Sequence, residues 1–234
     1  MGIVLTPTAI GIGRFLGSAS LALTAWLAIP QTAGAHPHGW VDIRVEGIFD
    51  AQGDLTALRQ RWRMDPLYSQ VLMEEISSAP GDTPLAQRLD ALAIEIRDNL
   101  ATQQNLTRIT LDGRPIAQGD VTAINTEYRD QRMVFGFTLP LAEPQGLAGH
   151  TLRYRVFDPT YYIEMLHEAD AEGTAPLPDA LQLRDAPPGC TTRIVAADPD
   201  PDKVMEAAML DKTQQGEPNL GRFFAETGEI ACPD

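Results

Sequence analysis

Two runs of alternating residues separated by a short turn constrain this chain more than any other feature. In residues 40–49, Val41, Ile43, Val45 and Phe49 fall on one side and Asp42, Arg44 and Glu46 on the other. In residues 56–64, Leu58, Trp62 and Met64 oppose Arg59, Arg61 and Arg63. A period of two is that of a half-buried strand, and Asp50-Ala51-Gln52-Gly53-Asp54 between the runs is turn chemistry. An antiparallel hairpin must put both apolar faces on the same side. A slip of one residue would turn one strand's apolar set to water, so paired residue numbers must add to an odd value. Sums of 103 and 105 both fit the turn, and both set Asp42 opposite an arginine, Arg61 or Arg63.

The period then changes. Asp65 can cap a helix and Pro66 suits its first position, with Leu67, Val71, Leu72 and Ile76 following at helical spacing. After the breaker Ala79-Pro80-Gly81, a second helix starts at Thr83-Pro84 with the stripe Leu85, Leu89, Leu92, Ile96 and Leu100. Short strands are expected at 106–111, 121–128, 132–139 and 152–157, with 140–149 as the loop joining the last two. Residues 201–210 read as a late helix. No internal repeat and no linker long enough to force two domains is present. The pattern is that of a single α+β domain over residues 36–234: antiparallel sheet or sheets, an N-terminal hairpin, two packed helices after it, and C-terminal strands.

Residues 1–35 stand apart from that domain. They carry one charged side chain, Arg14, then an apolar run over 15–29 that Pro30 ends, then Gln31-Thr32-Ala33-Gly34-Ala35. A basic start, an apolar stretch and a small-residue A-x-A tract make a signal peptide, cleaved after Ala35. The apolar run is shorter than the roughly 20 residues a membrane-spanning helix needs, and no other stretch approaches a span. The expectation is an exported, periplasmic protein with no stable membrane anchor after cleavage. Export permits a disulfide between Cys190 and Cys232, which would staple the short strands at 191–195 and 228–231; two free thiols or a metal pair is the competing reading.

Composition removes several functions. With 18 Lys+Arg against 32 Asp+Glu, the formal charge of -14 argues against nucleic acid or an anionic membrane surface as partner. Two cysteines exclude a Cys-rich zinc module. No nucleophile motif, phosphate loop or dinucleotide fingerprint occurs in the chain, so no catalytic residue is assigned.

The chemistry concentrates at the new N-terminus, His36-Pro37-His38-Gly39-Trp40. A terminal histidine offers an α-amine and an imidazole, and Pro37 favours an extended backbone that points His38 to the same side as His36. Pro37 has no N–H, so square-planar chelation through deprotonated backbone amides is blocked. What remains is a site of side chains, and the amine, suited to a divalent transition metal: Zn, Ni, Co or Cu. With a register sum of 103, Asp65 would sit across from His38 as a third ligand, besides its capping role. Asp158, at a strand end before Tyr161 and Tyr162, is a fourth candidate, although Asp-Pro there also reads as a plain turn. His150 and His167 read as surface or core-edge histidines.

Ala35-His36-Pro37-His38, the run from Trp62 to Ser69 and the run from Phe157 to Tyr162 resemble a family of exported bacterial proteins, the domain of unknown function numbered one thousand and seven. The resemblance extends to the cysteine pair and Phe223-Phe224-Ala225-Glu226, and so covers nearly the whole chain after residue 35. It implies a periplasmic component of an ABC-type transport system, and proximity to nickel/cobalt-type efflux permeases implies transition-metal handling. His36, His38, Asp65 and Asp158 match its motif positions; Met64 stands where an aromatic residue is expected. Three functions follow as expectations. The first is a periplasmic metal-binding accessory protein for an inner-membrane metal transporter. The others are a metal-free binding or scaffold module and a copper histidine-brace enzyme.

Overall fold

A computed structural model describes residues 37–210 and 217–234, which belong to one compact unit, Gly34–Asp234. The expected signal segment, 1–35, and His36 lie outside the described residues.

The hairpin forms from β1 (Gly39–Phe49) and β2 (Asp54–Met64). Their register pairs Val41 with Met64, Asp42 with Arg63 and Ile43 with Trp62, a sum of 105. A bulge between Ile48 and Phe49 absorbs one residue beside the turn, and the Asp50 carboxylate holds the turn by accepting from the backbone N–H of Gln52 and Asp54 at 2.9 and 3.0 Å. The register of 103 is therefore corrected. Asp65 lies across from Trp40, to whose carbonyl its N–H donates at 3.0 Å, and not across from His38.

Asp65 caps α1 (Pro66–Ser78), with Pro66 in the first turn as the sequence requires. Then follow α2 (Leu85–Ala101), β3 (Thr107–Leu111), the two-residue β4 (Arg114–Pro115), β5 (Thr122–Arg129) and β6 (Arg132–Gly146). The rest comprises β7 (Thr151–Val156), β8 (Ile163–His167), β9 (Leu181–Arg184), β10 (Thr191–Val195), α3 (Pro201–Met209) and β11 (Thr227–Ala231). One sheet runs β5-β6-β2-β1-β8, with β9 also on β1; the other runs β10-β11-β7-β3-β4. The architecture is α+β, as read from the sequence, with two parallel pairings, β1–β8 and β1–β9, inside an otherwise antiparallel arrangement.

Two departures have local causes. β6 continues to Gly146, through residues that read as loop, because Pro140 pairs with Ala57 beside a register shift in β2. A proline is admitted to a ladder at such a bulge, where its missing N–H costs nothing. In α1 the expected stripe is split: Leu67 and Val71 are 73% and 56% exposed, Leu72 and Ile76 are half-buried, and Ser69 is the fully buried residue. The Ser69 hydroxyl donates to the Asp65 carbonyl at 2.6 Å and accepts from the Met133 N–H at 2.9 Å, which pins the helix to β6.

Both sheets contribute to one main apolar core, and Tyr161, Ala207 and Leu220 form a second, smaller cluster. Trp62 packs edge-on against Phe137 with ring centroids 5.0 Å apart. Through this core runs a chain of buried polar groups. The Trp62 indole donates to the Gln60 side-chain oxygen at 2.9 Å, the Gln60 amide to the Thr107 hydroxyl at 3.1 Å, and that hydroxyl to the Asn105 carbonyl at 2.8 Å. Cys190 and Cys232 are joined as a disulfide, and β11 is hydrogen-bonded on both sides, to β10 and β7.

The bond closes a loop with a sequence separation of 42. In the chain-entropy picture its reduction lowers the unfolding free energy by about 4 kcal/mol. Urea unfolding with and without a reductant checks this; an unchanged midpoint would show that strand pairing alone holds the C-terminus.

Candidate functional site

A groove of about 610 Å³ lies between the helices and the end of the sheet where β1 begins. Its walls are mainly apolar, from Trp62 and Met64 of β2, Leu67 of α1 and Leu92 and Ile96 of α2, and three of the four sequence candidates line it: His38, Asp65 and Asp158.

His38 is fixed by the loop that precedes β8. Its N–H donates to the Tyr162 carbonyl at 2.9 Å, and its ring lies 4.5 Å from the Tyr162 ring, centroid to centroid. Asp65 is 8% exposed. Its Oδ1 accepts from the Tyr68 N–H at 2.9 Å, the N-cap bond, while Oδ2 faces Gly39. A Cβ at position 39 would lie 2.9 Å from that oxygen, so a side chain there would make the carboxylate shift.

Asp158 organises the loop. It accepts from the N–H groups of Thr160, Tyr162 and Ile163 at 2.9, 2.9 and 3.0 Å, and from the Thr160 hydroxyl at 2.8 Å. A carboxylate offers about four lone-pair sites, and these donors take them. The loop is also packed tightly: Tyr161 stacks on Phe224 at 4.0 Å, and a Cβ on Gly221 would meet the Asp158 carbonyl oxygen at 1.9 Å.

Among the described residues, no three His, Cys, Asp or Glu side chains stand close enough to hold a metal ion. A metal site here would use the His38 ring and Asp65 Oδ2 and would be completed from His36. Asp158 would have to surrender a turn bond to join.

The other histidines are used elsewhere. His150 pairs with Asp112 at 2.6 Å. His167, 3% exposed, lies between Glu226 and Tyr154, with Nδ1 2.8 Å from the carboxylate and Nε2 2.7 Å from the phenol oxygen. Burial and the Glu226 charge push the Tyr154 phenol well above its ordinary range. Gly228 clears the space for that ring, since a Cβ there would sit 2.2 Å from it. Sequence reasoning missed this buried triad. Glu226 in Phe223-Phe224-Ala225-Glu226 was the available signal, but nothing local pairs it with β8.

The fold and the groove define a two-sheet α+β protein with a ligand-sized apolar cleft at one end, capped by a histidine and two carboxylates. The chain belongs to the family described as protein of unknown function (DUF1007), which it matches over residues 21–232. It is similar to an uncharacterized protein of Haemophilus influenzae, 24% identical over 208 residues, covering 85% of this chain and 91% of that one. No solved structure matches.

Two outcomes follow from the loop and the cap. Asp65→Ala removes one capping bond and should cost about 1 kcal/mol, whereas Asp158→Ala strands several donors and should cost at least twice as much; guanidinium unfolding ranks them. Glu164, beside Tyr161, has its carboxyl raised, first by burial and further by Glu226, against the lowering effect of the Tyr161 phenol bond. A raised folded value means tighter proton binding in the folded state. Its contribution is thus full below the ordinary value of 4.5 and is lost as pH rises through the raised value. Glu164→Gln should flatten that decline in stability-versus-pH curves.

Proposed function

We propose that this chain is an exported accessory protein that binds a divalent transition-metal ion through His36 and His38 at the mouth of the groove and works beside an inner-membrane metal transporter. The supporting observation is the placement of His38: backbone-anchored, ring against Tyr162, one residue from the glycine that lets the Asp65 carboxylate approach β1. His38 and Asp65 both line the groove, and a terminal histidine at position 36 would add its imidazole and amine to theirs. Imidazole nitrogens favour Zn, Ni, Co or Cu over Mg or Ca, and the acidic chain raises the local cation concentration. Residues 1–35 would serve as the export signal, and the disulfide fits an oxidising compartment.

A second reading rests on the groove itself. Trp40, Leu67 and Tyr68 line it and are 45%, 73% and 51% exposed, a concentration of apolar surface typical of binding clefts. In this reading the chain is a metal-free binding module.

Calorimetric titration with Zn, Ni, Co and Cu of protein processed after Ala35, beside the His36→Ala, His38→Ala double variant, separates the two. The metal reading expects saturable one-to-one binding that falls at least a hundredfold in the variant. Equal weak binding by both forms would leave the groove reading standing.

A further inference from the structure

We propose that the polar face of the larger sheet holds a second site, one for a small dianion such as phosphate or a short dicarboxylate. Side chains alternate across a strand, so Asp42, Arg44, Arg61 and Arg63 project from the face opposite the one that carries Val41 and Trp62 into the groove. There four arginines, Arg44, Arg61, Arg63 and Arg129, surround a hollow of about 220 Å³ with three carboxylates, Asp42, Asp130 and Glu168. In a chain with a formal charge of -14, this is a local reversal of sign.

The ion pairs within the hollow do not use up the arginines. Asp42 Oδ2 receives Arg63 at 3.2 Å and Arg132 at 2.5 Å. Glu168 receives Arg63 at 2.6 Å and also Arg44, which is further held by Asp179. Arg61 and Arg129 have no ion pair among the described residues. Asp130, in the exposed turn between β5 and β6, has none either.

The register makes the arrangement costly. Arg44 is the direct cross-strand partner of Arg61, and Arg129 that of Arg132. Like charges directly opposite one another on a sheet are destabilising. Two such pairs bordering one hollow are a local conflict of the kind that folds retain at binding sites. Within the same cluster the Arg63 Nε is buried and has no hydrogen-bond partner, a donor of the sort native structures normally satisfy. Gly136, beside Arg61 in the β2–β6 ladder, makes room for the Asn125 side chain, whose Oδ1 a Cβ there would meet at 2.5 Å.

A dianion answers each of these features. Guanidinium groups bind carboxylate or phosphate oxygens as a fork, with charge-assisted bonds. An anion in the hollow would give Arg61 and Arg129 the counter-charge they lack and offer an acceptor to Arg63 Nε. The hollow is smaller than the roughly 300–1,000 Å³ usual for drug-sized ligands, which selects a small anion over a nucleotide. This inference is independent of the metal reading, because the two sites share no residue.

The test is calorimetry of the full disulfide-bonded chain at low ionic strength, titrated separately with inorganic phosphate and with malonate, and with chloride as an ionic-strength control. Saturable one-to-one binding of either anion is expected; phosphate alone would identify a phosphoryl ligand and malonate alone a dicarboxylate. Arg61→Gln should weaken binding at least tenfold. Arg59→Gln, which removes a cation paired with Glu46 outside this hollow, should not. Without anion, Arg61→Gln should melt at the same temperature as the parent or higher, since repulsion from Arg44 is relieved. No saturable binding of either anion, equal affinity in Arg61→Gln, or a lowered melting temperature for that variant would overturn the proposal.

Discussion

Gln60 is 1% exposed, at a position where a neighbouring apolar residue would be easier to bury. An amide without partners in such a place would cost a few kcal/mol, so its surroundings are dictated by its needs. The Trp62 indole satisfies its oxygen, and its nitrogen reaches the Thr107 hydroxyl on the other sheet. Apolar packing alone is indifferent to small slides between two sheets; a directional bond between them is not. Trp62 also forms the floor of the groove, so the same joint that aligns β2 with β3 sets where the cleft can open. The core and the site therefore share one determinant.

Around that joint, the groove arises from incomplete covering. α1 is held by its cap and by Ser69, a small polar residue, and not by a broad apolar face. Half-buried Leu92 and Ile96 of α2 meet the same space from the other side. Loop 157–163 closes one end through Asp158, whose carboxylate gathers backbone donors much as a helix cap does. The three candidate residues His38, Asp65 and Asp158 thus border one cleft for three different reasons: a strand end, a helix start and a turn.

Much of this was legible in the chain itself. Alternation gave the hairpin and the parity of its register; Asp65-Pro66 gave the cap and the helix; the spacing at 191–195 and 228–231 gave two of the stapled strands. Alternation does not choose between sums of 103 and 105, because both keep the same faces together and the register shifts at a bulge between Ile48 and Phe49. β8 and β9 escaped notice for a related reason. They are short, and they attach to β1 in parallel across more than a hundred residues, so their partners lie nowhere near them in sequence. Helical periodicity reports which residues share a side and not what covers that side, so Leu67 and Val71 of α1 stand exposed while Leu72 and Ile76 are half-buried. His167 looked ordinary since its partners, Tyr154 and Glu226, come from separate parts of the chain.

The covalent link between Cys190 and Cys232 encloses α3 together with β10 and β11. Because β11 is threaded between two neighbours, a single backbone nick anywhere inside that enclosure would release nothing. The product would be a two-chain molecule, joined by sulfur and by ladder bonds, that migrates as one species until thiols are added. Durability against proteolysis in this half of the molecule is consequently a property of the surrounding redox potential as much as of the fold.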